Sequence, residues 1–239
     1  IAPFALLRPY EFFRNGAVFQ GLPVCVVGVG GGVDYSHEGG THFSLEDVAV
    51  LRPFETVEVL VPADIEDAAM ATRHIVAAEK PSYLRLGKDE QWTITPQSRD
   101  PIALPRLIRD GEDVLFVCLG PMVRQALDAA ASLDIHGVSA AVALVSSFNV
   151  DANAARSAMA NLLARYSHAL TVEAHFRNGG LGSFVAEVVA DHGLALSLTR
   201  CGFTREISGE SGSLEWWFRR AQLDSENLVA RAAAIVAAR

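Results

Sequence analysis

The sequence is short of several things, and each shortage removes a class of function. It has three cysteines, Cys25, Cys118 and Cys201, in 239 residues. They form no C-x-x-C pair, so neither a disulfide framework nor a thiolate metal site is encoded. Cys25 and Cys118 sit inside apolar runs and read as small buried hydrophobes, which fits a reducing cytoplasm. No apolar run approaches the length of a membrane span, and no signal-peptide layout is visible. Positive charge is scarce too, with 20 Lys and Arg against 28 Asp and Glu and a formal net charge of −8. Without a basic stripe, nucleic acid and anionic membranes are excluded as partners. The phosphate-cradling pattern G-x-x-x-x-G-K-[ST] is missing. Neither GGLGSF at Gly179 nor SGESGS at Ser208 satisfies the nucleophile-elbow pattern G-x-S-x-G.

What is present is apolar sequence in alternating registers. Half of the residues are hydrophobic, enough for two modest α/β cores. Pro9 to Gln20 reads as a helix, and Val24 to Val29 as a strand covered on both faces. Ser44-Leu45-Glu46-Asp47 reads as a helix cap, followed by a strand over Val57 to Val61. Asp64 and Asp67 start a helix that runs to about Glu79, and Tyr83 to Leu86 is the next strand. A second series follows, with strands at Val114–Leu119, Val138–Val145, Ala169–Glu173 and Leu194–Thr199. Its helices are Met122–Leu133, Ala152–Arg165, Leu181–Asp191 and Glu226–Ala238. Strands separated by helices predict α/β architecture, with two doubly wound domains of mostly parallel sheet. Between the two series, Pro96, Pro101 and Pro105 punctuate a stretch without period. The expected organisation is residues 1–95 as one domain, 96–112 as a linker and 113–239 as a second domain. The chain opens directly into apolar sequence, without Met, which reads as a domain lacking its first segment.

Chemistry concentrates in Gly28 to His42, GVGGGVDYSHEGGTH. Six glycines follow the first strand, at the carboxyl end where open α/β sheets place ligands. A dinucleotide loop does not fit, because Val33 occupies the third glycine position and no helix begins there. His37 and His42 are imaginable metal ligands, but a glycine-rich loop fixes no geometry and a third ligand is lacking. A solvated surface loop explains the glycines without explaining why Asp34, Glu38 and His42 crowd one strand mouth.

The segments IAPFALLRPYEFFRNGAVFQGLPVCVVGVGGG, SHEGGTHFSLEDVAVLR, VLVPAD and PSYLRLGK, in that order, resemble the pyrimidine-binding domain of transketolases, most closely the split-subunit type. DVLFVCLGPMVRQALDAA, TVEAHFRNGGLGSFVAEVVADHG and REISGESGSLEWW resemble the transketolase C-terminal domain. The resemblance covers nearly the whole chain. It implies thiamine diphosphate as cofactor and assigns roles by position. His42 corresponds to the histidine near the substrate oxygens, where an imidazole donates to an oxyanion or shuttles a proton. Glu38 stands where full-length members often carry an aspartate on a substrate hydroxyl. Lys88 corresponds to the cation that holds the sugar phosphate, with Arg85 its competitor. Phe4 lies near the aromatic residue that stacks on the aminopyrimidine. His175 and Asn178 fall in a loop that supports dimer packing.

The resemblance also defines what the sequence does not contain. The glutamate that acts on the aminopyrimidine belongs to a G-x-x-E-Q-like stretch, and Mg2+ with the diphosphate belongs to a G-D-G…N segment. Neither stretch is in these 239 residues. The expectation is therefore the C-terminal component of an enzyme that transfers a two-carbon ketol unit between sugar phosphates. It would be cytoplasmic and self-associating, and completed by a diphosphate-binding N-terminal subunit that holds Mg2+. The alternatives are a non-catalytic scaffold, or a component like deoxyxylulose-phosphate synthase or the 2-oxoacid dehydrogenase β chain.

Overall fold

The computed structural model describes residues 1–88, 92–94, 101–205, 207 and 209–237. Its first sheet has strand order β1-β3-β2-β7, made of β1 (Cys25–Val29), β2 (Glu58–Leu60), β3 (Ser82–Leu86) and β7 (Ser147–Phe148). The second has order β4-β6-β5-β8-β9, made of β4 (Arg106–Arg109), β5 (Val114–Leu119), β6 (Ala140–Val145), β8 (His168–Phe176) and β9 (Ser197–Phe203). All pairings are parallel except β2 with β7 and β4 with β6.

Every residue of β5 and β6 is buried, as unbroken apolar runs demand when helices cover both faces. The helices α4 (Val123–Ile135) and α8 (Ser225–Ala237) lie against one face, and α5 (Ala152–Leu163) and α6 (Leu181–Asp191) against the other. Phe116, at the centre of β5, is fully buried. Truncating such a ring to alanine costs about 3–5 kcal/mol. Two aspartates cap helices, the first as the sequence suggests. Asp64 accepts the Asp67 N–H at 2.8 Å to start α3 (Ile65–Ala78), and Asp151 accepts the Ala154 N–H at 3.1 Å to start α5.

Several expectations need correction. The helix expected over Pro9–Gln20 runs as α1 (Tyr10–Phe12) continued by wider turns over Phe13–Val18, and a separate wide-turn segment, Pro3–Leu7, precedes it across a break at residues 8–9. Its bonds reach five residues back, from the Arg8 N–H to the Pro3 carbonyl and from the Phe19 N–H to the Arg14 carbonyl. Such wide turns are rare, and Pro9, which lacks an N–H, sits at the break. β1 is not covered on both faces, since it is an edge strand with Val27 47% and Val29 36% exposed. Ser44 does not cap a helix. Its N–H and carbonyl pair with Gly32, and α2 (Asp47–Leu51) begins after Glu46. The stretch over 96–112 holds β4, while 96–100 lies outside the described residues. The strand expected at Leu194–Thr199 begins three residues later, at Ser197. α7 (Leu214–Ala221), capped by Ser213 on the Trp216 N–H, was not anticipated.

The two sheets share one apolar cluster, in which Val59 and Tyr83 of the first meet Leu115 and Val117 of the second. Polar ties cross the same boundary. Arg52 donates to the Gly179 carbonyl and makes a two-pronged pair with Glu187 at 2.7 and 2.8 Å. Asn149, at φ 64°, donates to the carbonyls of Arg52, Phe54 and Val57.

Candidate active site at the glycine-histidine loop

β1 ends in three glycines whose hydrogens are required by what packs on them. A Cβ at Gly30 would lie 2.2 Å from the Tyr35 ring, and one at Gly31 2.6 Å from the Arg85 guanidinium. The Gly32–Ser44 bridge then closes a loop over residues 33–43. The second half of the chain pins that loop. Ser211 Oγ donates to the His37 carbonyl at 2.6 Å, and the Trp217 indole N–H donates to the Ser36 carbonyl at 3.1 Å. Phe43 meets Trp217 edge to face at 5.2 Å. Gly39 and Gly40 are glycines because the Glu210 and Ile207 carbonyls come within 2.9 and 2.2 Å of where a Cβ would stand.

His42 ends this loop and is half-buried at the surface. Its Nδ1 lies 3.0 Å from Thr41 Oγ1, and among the described residues Nε2 has no hydrogen-bond partner. Phe4, 38% exposed, meets the imidazole edge to face at 5.4 Å. On the other side Tyr35 approaches His42 at 6.2 Å, and Lys88 Nζ lies 5.0 Å from the Tyr35 ring centroid. Phe4, His42, Tyr35 and Lys88 thus form one row along the mouth of the first sheet. Lys88 is exposed, and its backbone N–H is held by Asp34 Oδ2 at 3.1 Å. From there it enters a cleft of about 520 Å³ between the sheets, lined also by Trp92 and Arg124. Glu38 is exposed on the loop, with its backbone N–H on the Tyr35 carbonyl.

Arg85, weighed as the competitor of Lys88, lines the same cleft but is tied into the fold. Its guanidinium is buried, with Nε on Asp47 at 2.8 Å and Nη2 on the Ser44 and Ala174 carbonyls at 3.0 and 2.9 Å. Asp47, fully buried, also accepts from Tyr83 Oη at 2.8 Å and from the Val48 N–H at 3.0 Å. Burial, then the Asp47 carboxylate, pushes the Tyr83 phenol well above its ordinary pKa. Arg85 therefore clamps the histidine loop to the second sheet.

Behind the clamp lie two buried groups of β8: Glu173, not singled out in the sequence, and His175, which stands inside the strand and not in the loop expected to support dimer packing. Glu173 accepts the first N–H groups of α6, from Leu181 at 2.7 Å and Gly182 at 2.8 Å. Burial nevertheless raises its pKa to about 7. His175 Nδ1 lies 2.6 Å from the Phe176 carbonyl and so carries the proton, leaving Nε2 to accept the Ala49 N–H at 3.3 Å. That pattern needs a neutral ring, and burial lowers its pKa to about 4. Among the described residues no group of three or more His, Cys, Asp or Glu is placed to hold a metal ion. The pairing of His37 with His42 gains no third ligand. No helix among the described residues is long and apolar enough to cross a membrane.

Two α/β layers, with an imidazole–aromatic row at the carboxyl edge of the first, are the frame into which the comparisons with known proteins fit. Residues 2–91 match the transketolase pyrimidine binding domain and residues 105–228 the transketolase C-terminal domain. The chain belongs to the transketolase family. It is 28% identical over 232 residues to a putative transketolase C-terminal section of Methanocaldococcus jannaschii, covering 95% of this chain and 71% of that protein. It is 31% identical over 230 residues to a 6-deoxy-6-sulfo-D-fructose transketolase subunit of Clostridium sp., covering 95% and 69%. Among solved structures, a split-gene transketolase described as an inactive beta4 tetramer superposes with a TM-score of 0.83 at 26% identity, over 98% of this chain and 73% of that one.

Proposed function

We propose that this chain forms the pyrimidine-facing wall of a transketolase active site, and that a second polypeptide carries the diphosphate-binding wall. The assembled enzyme moves a two-carbon ketol unit between sugar phosphates. The observation that carries this reading is the row Phe4–His42–Tyr35–Lys88, with Phe4 and Lys88 exposed at its ends and His42 and Tyr35 half-buried between them.

The residues fit one part of thiamine diphosphate and not the rest. Phe4 offers an exposed aromatic face for a pyrimidine ring, with bare Val27 and Val29 on the neighbouring strand edge. In this reading the metal and the diphosphate are held by the partner subunit. Bound there, the cofactor supplies the nucleophilic carbon and the electron sink. His42 Nε2 would donate a proton to the oxygen of the reacting carbonyl as negative charge develops there, and would take it back when the carbonyl re-forms. Lys88 meets the substrate phosphate as a point charge, and Glu38 accepts from a sugar hydroxyl. Phe4 and Tyr35 exclude water around the imidazole. Self-association or the partner subunit would cover the bare apolar edge at Val27 and Val29.

The test is reconstitution. The chain alone, given thiamine diphosphate and Mg2+, should neither bind the cofactor tightly nor turn over xylulose 5-phosphate. Adding the diphosphate-binding subunit should restore ketol transfer. Consumption of pyruvate with xylulose 5-phosphate left untouched would assign the chain to the deoxyxylulose-phosphate-synthase type instead.

A further inference from the structure

At the end of β9, away from the His42 row, a cleft of about 170 Å³ is lined by Arg177, Arg200, Arg205, Arg220 and Arg231, with Glu210 as its acidic residue. The chain has 20 Lys and Arg and a net charge of −8. Five of its 20 cations therefore line one small cleft in an otherwise acidic protein. Among the described residues few acceptors compensate them, with Glu173 acting on Arg200 from within the fold. Glu210 pairs with Arg220 at 2.6 Å. Arg231 donates to the neutral Gln222 side chain, and Arg200 to the Arg177 carbonyl at 3.5 Å. Arg177 and Arg205 make no side-chain hydrogen bond or ion pair among the described residues.

Guanidinium groups do not shed their protons, so repulsion within such a cluster is relieved by a bound anion. A carboxylate satisfies one guanidinium fork. A phosphate monoester carries about −1.5 to −2 charge and three strong acceptor oxygens, and so can be held from several sides at once. A second cleft of about 190 Å³ adjoins the first and shares Arg177, Phe203, Thr204 and Arg205 with it. Asn178 and Thr204 there supply neutral hydrogen-bonding groups beside the Phe176 and Phe203 rings.

We infer that these joined clefts form a binding site for a small phosphorylated molecule, separate from the substrate site proposed at Lys88. The phosphate sits among the arginines and the organic remainder lies toward Asn178 and Thr204. Occupancy is felt at the active-site loop. Ile207, Glu210 and Trp217 line the arginine cleft, and the same three residues press on Gly40, Gly39 and Ser36 of the histidine loop.

Inorganic phosphate and glycerol 3-phosphate are titrated calorimetrically into the full chain, at ionic strength fixed with sodium chloride. Saturable binding is expected, weakened at least about tenfold in Arg177→Gln/Arg205→Gln. It should persist in Arg14→Gln/Arg165→Gln, which changes net charge equally at distant sites, and in Lys88→Ala. Tighter binding of glycerol 3-phosphate than of phosphate assigns the adjoining cleft to the ester's organic part, and equal affinity assigns the site to free phosphate. The inference is overturned if neither probe binds saturably, or if binding survives in Arg177→Gln/Arg205→Gln. It is also overturned if Arg14→Gln/Arg165→Gln or Lys88→Ala abolishes binding equally. Should circular dichroism show the first double variant unfolded, Arg205→Gln alone, at an exposed position, carries the test, and unchanged affinity there overturns the site.

Discussion

Replacing Asp47 by alanine should cost more stability than any change at the exposed row beside it. The carboxylate is fully buried and accepts from Tyr83, Arg85 and the Val48 N–H. Removing it leaves a guanidinium that is 5% exposed without its counter-charge and a buried phenol without its acceptor. Losing one partner of a buried ion pair costs about 3–5 kcal/mol, because the survivor cannot recover its hydration. The Arg85 bonds to the Ser44 and Ala174 carbonyls remain and soften the loss, so the lower part of that range is expected. Asp47→Asn keeps an acceptor and removes the charge, and should cost about 1.5–3 kcal/mol. Urea titration followed by far-UV circular dichroism measures both, provided the slope with denaturant is unchanged. In a double-mutant cycle with Arg85→Met, the Asp47→Ala penalty should shrink by at least about 1 kcal/mol. A penalty within about 0.5 kcal/mol of wild type, the range of ordinary surface changes, would refute the clamp.

Other changes should separate chemistry from scaffolding. His42→Ala in the reconstituted enzyme should lower kcat by about 10²–10⁴, with the thermal midpoint of the chain almost unmoved, since the ring has few native partners. Lys88→Ala should raise KM for a phosphorylated donor more than it lowers kcat, and should leave activity toward a non-phosphorylated ketose unchanged. Glu173 supplies the pH test. Its pKa is raised in the fold from 4.5 to about 7, so the folded state holds the extra proton and stability falls as pH rises through that window. His175, lowered to about 4, acts oppositely from about 6.5 downward and masks part of the slope in the wild type. Glu173→Gln removes only the first effect. Between pH 5 and pH 8 its stability relative to wild type should improve by about 2.5 kcal/mol, read from urea midpoints at each pH. Parallel profiles would contradict the assignment.

The central strands were readable because β5 and β6 are short unbroken apolar runs in which every residue is buried, too short for helices and bounded by Gly, Asp and Ser. β4 and β7 were not. Each is short and antiparallel, and each is defined by a partner distant in sequence rather than by its own pattern. The glycine-histidine loop stood out by composition, and Phe4, His42 and Lys88 do fall along one row. The clamp beneath was hidden because Ser-Leu-Glu-Asp reads locally as a helix cap. Asp47 instead reaches Arg85, 38 residues away. The arginine cleft was equally silent, its members spread from Arg177 to Arg231 with no spacing that links them.

Because Ser211, Trp217 and the backbone at Ile207 and Glu210 secure residues 36–43, the histidine of the first sheet inherits its position from the far end of the polypeptide. A cut between the sheets would sever that support as well as the shared core. Neither half can therefore be traded for a homologue's without carrying its docking strand along. In recombination or engineering, the two layers behave as a single heritable part.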